Sequence, residues 1–521
     1  MIPLTLAEVA DAVGGAVHGC DGAGVVSGSV EFDSRRVGPG GLFVALPGEQ
    51  VDGHDFAAAA MAAGAVGVLA GRPVGVAAVL ASPVSAPAIS APVPTAYSLA
   101  ADTDGAGAAV LAAMARLARA VVDRLSQARG DVPTALQVVG LTGSSGKTST
   151  KDMVAAMLAR LGPTVAPPGS FNNEIGHPWT VLRADAATRH LVLELSARGP
   201  GQIAALCRVA PPSIGVVLNV GSAHLGEFGS RDAVATAKGE LVEALPVAGV
   251  AVLNADDAAV AAMEQRTAAR VVRFGRSAAA QIRATDVVLD DRGCPSFRLV
   301  TPAGEIPVQL VVPGEHQVSN ALAAAAVALE LGATPVLVAE VLAGYRPVSR
   351  WRLEVTDRPD GVTVVNDAYN ANPESVAAAL RTLVAMAGGG RRSWAVLGPL
   401  AELGAAEAQA YREIGTLAVR LGVDRLVVVG ERAQPIYWAA QDGAAAEYRA
   451  PDADTLGTRG RPAGRAAPVL VPDVPAVLEL LGGELAPGDV VLIKASRAFG
   501  LEQVAEGLLC AAGPTGGSSI R

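Results

Sequence analysis

Short apolar runs recur along this chain, separated by alanine-rich stretches whose polar residues fall at helical spacing. Residues 136–141, 191–195, 214–220 and 250–253 are such runs. A strand buried on both faces reads as a continuous apolar stretch and not as an alternating one. Helical patterns lie between these runs, so a mostly parallel sheet is predicted. Residues 281–312 read as hairpins added to that sheet, and a helix over 318–331 closes the unit. The pattern then starts again: strands are predicted at 362–365, 394–397, 425–429, 468–471 and 490–493, with helices between them. This is a second, doubly wound α/β unit. Nearer the N-terminus, 42–46 and 66–69 read as strands, 56–64 as an alanine-rich helix, and 110–127 as a helix with Arg and Asp on its polar face. Asp131, Val132 and Pro133 make a linker. The expectation is α/β throughout, in three units: 1–133, 134–347 and 348–521. No repeat of fixed period is visible.

Composition changes this picture little. A length of 521 residues fits three or four domains of ordinary size. Hydrophobic residues at 51% and charged ones at 17% exclude a largely disordered chain. Aromatics reach only 3%, with 59 Gly and 34 Pro, so the apolar mass is Ala, Val and Leu. A net charge of -9 excludes a general nucleic-acid binder, which needs a basic face. The mean hydropathy of +0.37 raises the question of a membrane span. Residues 74–101 carry no charge and are long enough to cross a bilayer. Pro83, Pro87, Pro92 and Pro94 interrupt them, however, so they read as an Ala/Pro-rich connection with one strand. Glu8 and Asp11 fall where the apolar region of an export signal would lie. Cys20, Cys207, Cys294 and Cys510 are far apart and form no CxxC, which suggests neither a disulfide framework nor a zinc site. A cytoplasmic location is expected.

The sharpest chemical signal is Gly140-Leu-Thr142-Gly143-Ser144-Ser145-Gly146-Lys147-Thr148-Ser149, after an apolar run and before a helix. Backbone N–H groups of such a loop cradle phosphate oxygens, and the following helix adds its dipole. Lys147 would reach the β- and γ-phosphates, and the Thr148 hydroxyl would ligate Mg²⁺. Leu141 stands where the strict P-loop pattern has its first glycine. Glu194 ends the next apolar run, at the carboxyl edge of a strand, where open α/β sheets bind ligands. His224, in Asn219-Val-Gly221-Ser-Ala-His224, is by itself either a metal ligand or a loop cap. Lys238, in Ala237-Lys238-Gly239-Glu240, reads alone as a solvated helix lysine.

Taken together, TGSSGKT, Glu194, NVGSAH, AKGE and Gly314-Glu-His316-Gln-Val-Ser-Asn320 occur in an order that resembles the Mur ligases. These are ATP-dependent amide ligases of bacterial cell-wall precursor synthesis. Asn172-Asn173-Glu-Ile-Gly176, Asn366-Asp367-Ala-Tyr369-Asn370-Ala-Asn372-Pro373 and Leu397-Gly-Pro-Leu-Ala-Glu402-Leu-Gly404 are most similar to the member that adds D-alanyl-D-alanine. Lys494-Ala-Ser496-Arg497 fits as well. So do Asp33-Ser34-Arg35 and Asp52-Gly-His54 in the first unit. Three positions depart from the family pattern: Gln202 for a usual Glu, Ala495 for a Gly, and Tyr411 for a frequent His.

The resemblance implies a three-domain fold and substrates UDP-MurNAc-tripeptide and D-Ala-D-Ala, with ATP and Mg²⁺ as cofactors. It implies Thr148, Glu194, His224 and a CO₂-carbamylated Lys238 as metal ligands. Lys147 and Arg352 would face the transferring phosphoryl group, with Arg350 a rival for the second role. Asp367 would hold ribose, Asn320 with His316 the adenine edge, and Ser34, Arg35, Asp52 and His54 the uridine nucleotide. Asn172, Asn173, Asn370, Lys494, Ser496 and Arg497 would position substrate. A monomer is expected, closing about a hinge near 345–349. Another Mur ligase, a folylpolyglutamate-type ligase and a P-loop small-molecule kinase remain the alternatives.

Overall fold

The computed structural model describes residues 1–48, 51–82, 102–127, 136–221, 225–449 and 466–510. His224, most of the Ala/Pro-rich segment and nearly all of the loop at 452–468 lie outside these residues. Among the described residues no helix is long and apolar enough to cross a membrane. All four cysteines are free.

The central sheet has nine strands. The P-loop strand Gln137–Thr142 lies between Ile214–Val217 and His190–Glu194, parallel to both. Val250–Asn254 and Arg270–Gly275 extend it in parallel on one side, and Thr164–Val165 on the other. Beyond Arg270–Gly275 come Ile282–Leu289, Pro295–Thr301 and Gly304–Gln309, the last two antiparallel to their neighbours. These are the expected added hairpins, and their alternating burial marks a half-solvated antiparallel edge. The helix predicted to close this unit spans His316–Glu330. It is followed by a further helix, Pro335–Gly344, started by Thr334 as N-cap with Pro335 in its first turn.

The C-terminal sheet has six strands, in the order Glu354–Asp357, Thr363–Asn366, Val490–Lys494, Ser393–Leu397, Arg425–Val429, Val469–Val471. All neighbours are parallel except the first pair. An apolar cluster covers each face: Val365, Leu380, Leu397, Tyr411 and Ile436 on one, Val364, Trp394, Val396, Val477 and Leu501 on the other. Strands buried on both faces explain why their sequence runs are continuous.

The N-terminal sheet of five strands is mostly parallel. Helix Leu6–Val13 has a capping box between Thr5 and Glu8, ends at Gly14 in the left-handed conformation (φ 62°), and buries Leu6, Val9, Ala10 and Val13. The long helix Ala106–Gln127 packs against this helix and also against Gly176–Val181 and Gln202–Val209 of the central unit. One apolar core thus runs from Leu6 and Leu42 through Met114 and Leu117 to Leu191 and Leu206. A second join is aromatic. Phe32 sits 5.9 Å from the Trp179 ring, Phe171 sits 4.7 Å from it, and Trp179 Nε1 donates to buried Glu31 at 3.3 Å.

Candidate active site

The carboxyl ends of adjacent strands in both large sheets open on one cavity of about 740 Å³. From the central sheet come the P-loop after Thr142, Glu194 and Asn219. From the C-terminal sheet come Asp367, Ala401 with Glu402, and Lys494. This is where doubly wound sheets bind ligands, at the crevice beside the switch in strand order.

The P-loop is held from three sides. Asn219 Oδ1 accepts from Ser144 N and Ser145 N, both at 2.9 Å, and Asn219 Nδ2 donates to Ser145 O at 3.1 Å. Ser144 Oγ accepts from Gly221 N at 2.8 Å. Asn372 Nδ2, from the C-terminal unit, donates to Ser144 O at 3.3 Å. Gly146 has φ +80°, and a Cβ there would lie 2.4 Å from Asn320 Oδ1, so only glycine fits. Asn320 also receives Thr150 Oγ1 at 3.3 Å and donates to Gln317 at 2.9 Å. It lines the cavity, and its amide also buttresses the loop from behind.

Lys147 is half-buried, and its Nζ donates to Gly143 O at 2.8 Å. Burial, with Arg352 adding to it, holds this ammonium below its usual range, although Glu194 pulls the other way. Lys238 corrects the reading of a solvated lysine: it is 4% exposed. Burial, and then the charge of Lys147, push its amine well below the ordinary lysine range. Its neighbour in sequence, Glu240, points the other way and caps helix Gln202–Val209 through Gly201 N at 2.6 Å and Ala204 N at 3.0 Å.

Glu194 is 1% exposed. Its Oε1 accepts from Ser170 Oγ at 2.8 Å and Asn172 Nδ2 at 2.7 Å. Its Oε2 is buried with no hydrogen-bond partner among the described residues. Ser170 also receives the Thr148 hydroxyl at 3.2 Å. A bare carboxylate oxygen beside a threonine hydroxyl is a donor set that fits a hard divalent cation.

Of the two arginines, Arg352 is the one that reaches the P-loop. Its Nη2 donates to Thr148 Oγ1 at 3.2 Å, and its guanidinium stacks 4.2 Å from the Tyr369 ring centroid. Arg350 is 71% exposed at its side chain and pairs only loosely with Glu506, at 3.9 Å. Asp367 faces Lys494 Nζ at 2.5 Å and accepts from Leu353 N at 3.2 Å. Lys494 also donates to Asn370 O at 3.0 Å. Ser496 Oγ joins Asn370 Oδ1 at 3.4 Å and accepts from Ala401 N at 2.9 Å. The Arg497 guanidinium lies 4.7 Å from the Trp351 ring centroid. Asn173 lines the cavity while its Oδ1 caps the turn at Gly176 N, at 2.9 Å. His316 lines it too, and burial pushes its imidazole down to about 4.

The first-unit candidates do not line this cavity. Arg35 is 87% exposed and pairs with Asp33 at 2.9 Å, next to half-buried Ser34. Asp52 accepts from His54 Nδ1 at 2.7 Å and from Arg72 at 2.6 Å. His54 Nε2 accepts from Gly71 N at 3.1 Å. Both ring nitrogens of buried His54 are therefore occupied inside the unit.

The departures from the family pattern are accommodated locally. Gln202 Oε1 accepts from Arg198 N at 2.7 Å. Ala495 is fully buried against Gly398. The Tyr411 hydroxyl holds Leu400 by its N–H at 3.0 Å. Asn219 and Asn372 lie in motifs of the sequence but carry no assigned role there, and Ser170 stands outside every motif. Asn219 follows an apolar strand as Glu194 does, a signal that could have found it. Ser170 lies in an irregular loop and has no such signal.

Fold and cavity define a P-loop nucleotide-using enzyme whose site is completed by a second α/β sheet. Family models match over most of the chain: the Mur ligase middle domain over residues 141–328, the Mur ligase glutamate ligase domain over 351–497, and the Mur ligase family catalytic domain over 28–120. The chain belongs to the Mur ligase family. It is 54% identical over 516 residues, 98% of each chain, to the UDP-N-acetylmuramoyl-tripeptide–D-alanyl-D-alanine ligase of Mycobacterium tuberculosis. To the Escherichia coli ligase of the same name it is 36% identical, covering 85% of this chain and 89% of that one. Among solved structures, MurF of Acinetobacter baumannii superposes with a TM-score of 0.77 at 27% identity, covering 97% of this chain and 99% of the other. MurF of Thermotoga maritima in complex with ADP gives 0.71 at 26% identity, covering 94% and 98%.

Proposed function

We propose that this enzyme uses ATP to join D-alanyl-D-alanine to UDP-MurNAc-tripeptide, a step of peptidoglycan precursor synthesis. The observation that carries the reading is the charge pattern of the cavity. Lys147 and Arg352 converge on a loop of backbone N–H groups, with Glu194 as the carboxylate among them. Such a cluster is built for a polyanion, and its relatives carry the name of this ligase.

In this reading the tripeptide carboxylate attacks the γ-phosphorus of ATP, the bond to ADP breaks, and an acyl phosphate forms. The dipeptide amine then adds to the acyl carbon, loses a proton, and phosphate leaves from the tetrahedral intermediate. Lys147 and Arg352 offset charge on the transferring phosphoryl group, so most of the catalysis is positioning and electrostatics. Thr148 and Glu194 would hold one Mg²⁺, and Glu194 with His224 from the NVGSAH stretch a second. When bound, the ions neutralise phosphate charge. Lys238 contributes as a carbamate. Burial favours its neutral amine, which would add to CO₂ with loss of one proton to water, and the product would be an anionic oxygen donor where an ammonium would repel the metal. Asp367 and Lys494 orient the nucleotide from the C-terminal unit, Asn172 and Asn173 orient the substrate end, and the first unit binds the UDP moiety near Ser34 and Arg35. The three units are bounded at about 133 and 347.

The test is a ligation assay of the purified enzyme with UDP-MurNAc-tripeptides and either D-Ala-D-Ala or single amino acids. ADP release that needs both the tripeptide and D-Ala-D-Ala is expected. Release with a single amino acid in place of the dipeptide would assign the chain to another ligation step, and release without any amine would make it a kinase.

A further inference from the structure

We propose that Lys151 and Asp152 form a latch that fixes the crossover segment at Ser349, and through it the approach of Arg352 to the P-loop. They are positioning residues for the ligation proposed above, and the inference rests on that reading.

Both lie one turn into helix Lys147–Leu158, and neither lines the cavity. They are nevertheless among the most buried charges in the protein, at 1% and 6% exposure. Lys151 Nζ sits 2.5 Å from Asp152 Oδ1. It also donates to Pro167 O at 2.7 Å and Gly169 O at 3.1 Å, and reaches Ser349 Oγ at 3.4 Å. Asp152 Oδ2 accepts from Ser349 N at 3.1 Å. Taking an ion pair out of water is costly, and apolar residues of similar volume would pack as well. What the pair supplies is directional hydrogen bonds to two separate segments.

One arm holds 167–169, the lead-in to Ser170, which joins the Thr148 hydroxyl to Glu194. The other arm holds Ser349, three residues before Arg352. Between them the chain is forced into an unusual path. Trp351 (φ 59°) and Leu353 (φ 49°), on either side of Arg352, are left-handed residues that are not glycine. Such conformations persist only where the surroundings over-determine them. Here the surroundings include three carboxylates: Asp152 grips Ser349 N on one side, Asp367 grips Leu353 N at 3.2 Å on the other, and Glu354 accepts from Trp351 N at 3.1 Å between them. Arg352 is thereby aimed back at Thr148. One buried pair thus ties the loop beside the cation site and the arginine of the C-terminal unit to the same helix.

The experiment is hydrogen exchange of the substrate-free full-length protein, wild type and Asp152→Asn, with steady-state kinetics on the same samples. In the wild type, the Ser349 amide should be protected. In Asp152→Asn, the peptide covering 345–353 should exchange at least about tenfold faster. Its kcat should fall about tenfold or more, with KM for ATP changed less than about threefold. Lys151→Met should in addition loosen 167–170. A Ser349 amide that exchanges freely in the wild type overturns the latch even if no variant folds. So does unchanged exchange over 345–353 in Asp152→Asn, or a loosened segment with unchanged kcat. Exchange is read without substrate, so a wild type that fails to ligate D-Ala-D-Ala would refute the proposed function while the latch is still judged.

Discussion

The Arg352 guanidinium donates to the Thr148 hydroxyl across 3.2 Å, between residues 204 positions apart in sequence. The contact joins the C-terminal unit to the P-loop at the atom expected to ligate the cation. It predicts opposite fates for two neighbouring arginines. Arg352→Ala should lower kcat by roughly 10²–10³-fold, the usual loss for a group that stabilises charge in the transition state. Arg350→Ala should change stability by no more than about 0.5 kcal/mol and leave ligation intact. Steady-state ligation by the two variants checks this, and equal losses would contradict the assignment.

Lys238→Ala should abolish ligation and leave the thermal midpoint unchanged or raised, because a buried amine is removed. Added acetate should restore part of the activity by placing an anion where the carbamate was. Full activity without acetate would rule out the carbamate.

The Lys494–Asp367 pair is nearly sealed, with side-chain exposures of 1% and 12%. Lys494→Met leaves Asp367 as a buried unpaired charge and should destabilise the protein by about 3–5 kcal/mol. Adding Asp367→Asn should recover much of that loss. Thermal unfolding of the single and double variants measures the coupling.

His177, on helix Gly176–Val181, is held by burial at a pKa of about 4, against an ordinary 6.5. A base whose folded pKa is depressed stabilises the fold fully above 6.5, and that contribution is lost as pH falls toward 4. The linked loss is about 3 kcal/mol. His177→Leu should flatten this part of the acid-side fall in stability. Unfolding followed by tryptophan fluorescence at about pH 7 and about pH 4.5 tests it, and parallel pH profiles for wild type and variant would contradict it.

Much of the architecture was legible because strands buried on both faces announce themselves as apolar runs. Gln137–Thr142, His190–Glu194, Ser393–Leu397 and Val490–Lys494 fall within a residue or two of their expected positions. Arg270–Gly275 was missed: its arginines interrupt the run, and their side chains pair at the surface with Glu330 and Glu264. Glu354–Asp357 was missed for a related reason, since an edge strand buries little. Helix Pro335–Gly344 had readable start signals in Thr334 and Pro335, but it followed so closely on another helix that it was absorbed into the end of the unit.

The sequence by itself determined the α/β class, the P-loop with Lys147 and Thr148, Glu194 at a strand end, and the family. Each of these is written in contiguous residues, as a run, a motif or an order of motifs. Only the tertiary structure decided the rest. It buried Lys238 beside Lys147, aimed Arg352 at Thr148 while leaving Arg350 exposed, and closed the His54 ring off within its own unit. It set Asn219 and Asn372 as braces of the P-loop, and merged the core of the first unit with that of the second through helix Ala106–Gln127. The reason is physical: burial, pKa and hydrogen-bond partnership depend on which strands are neighbours and how two sheets face each other. That order is carried by contacts hundreds of residues apart, not by any local pattern.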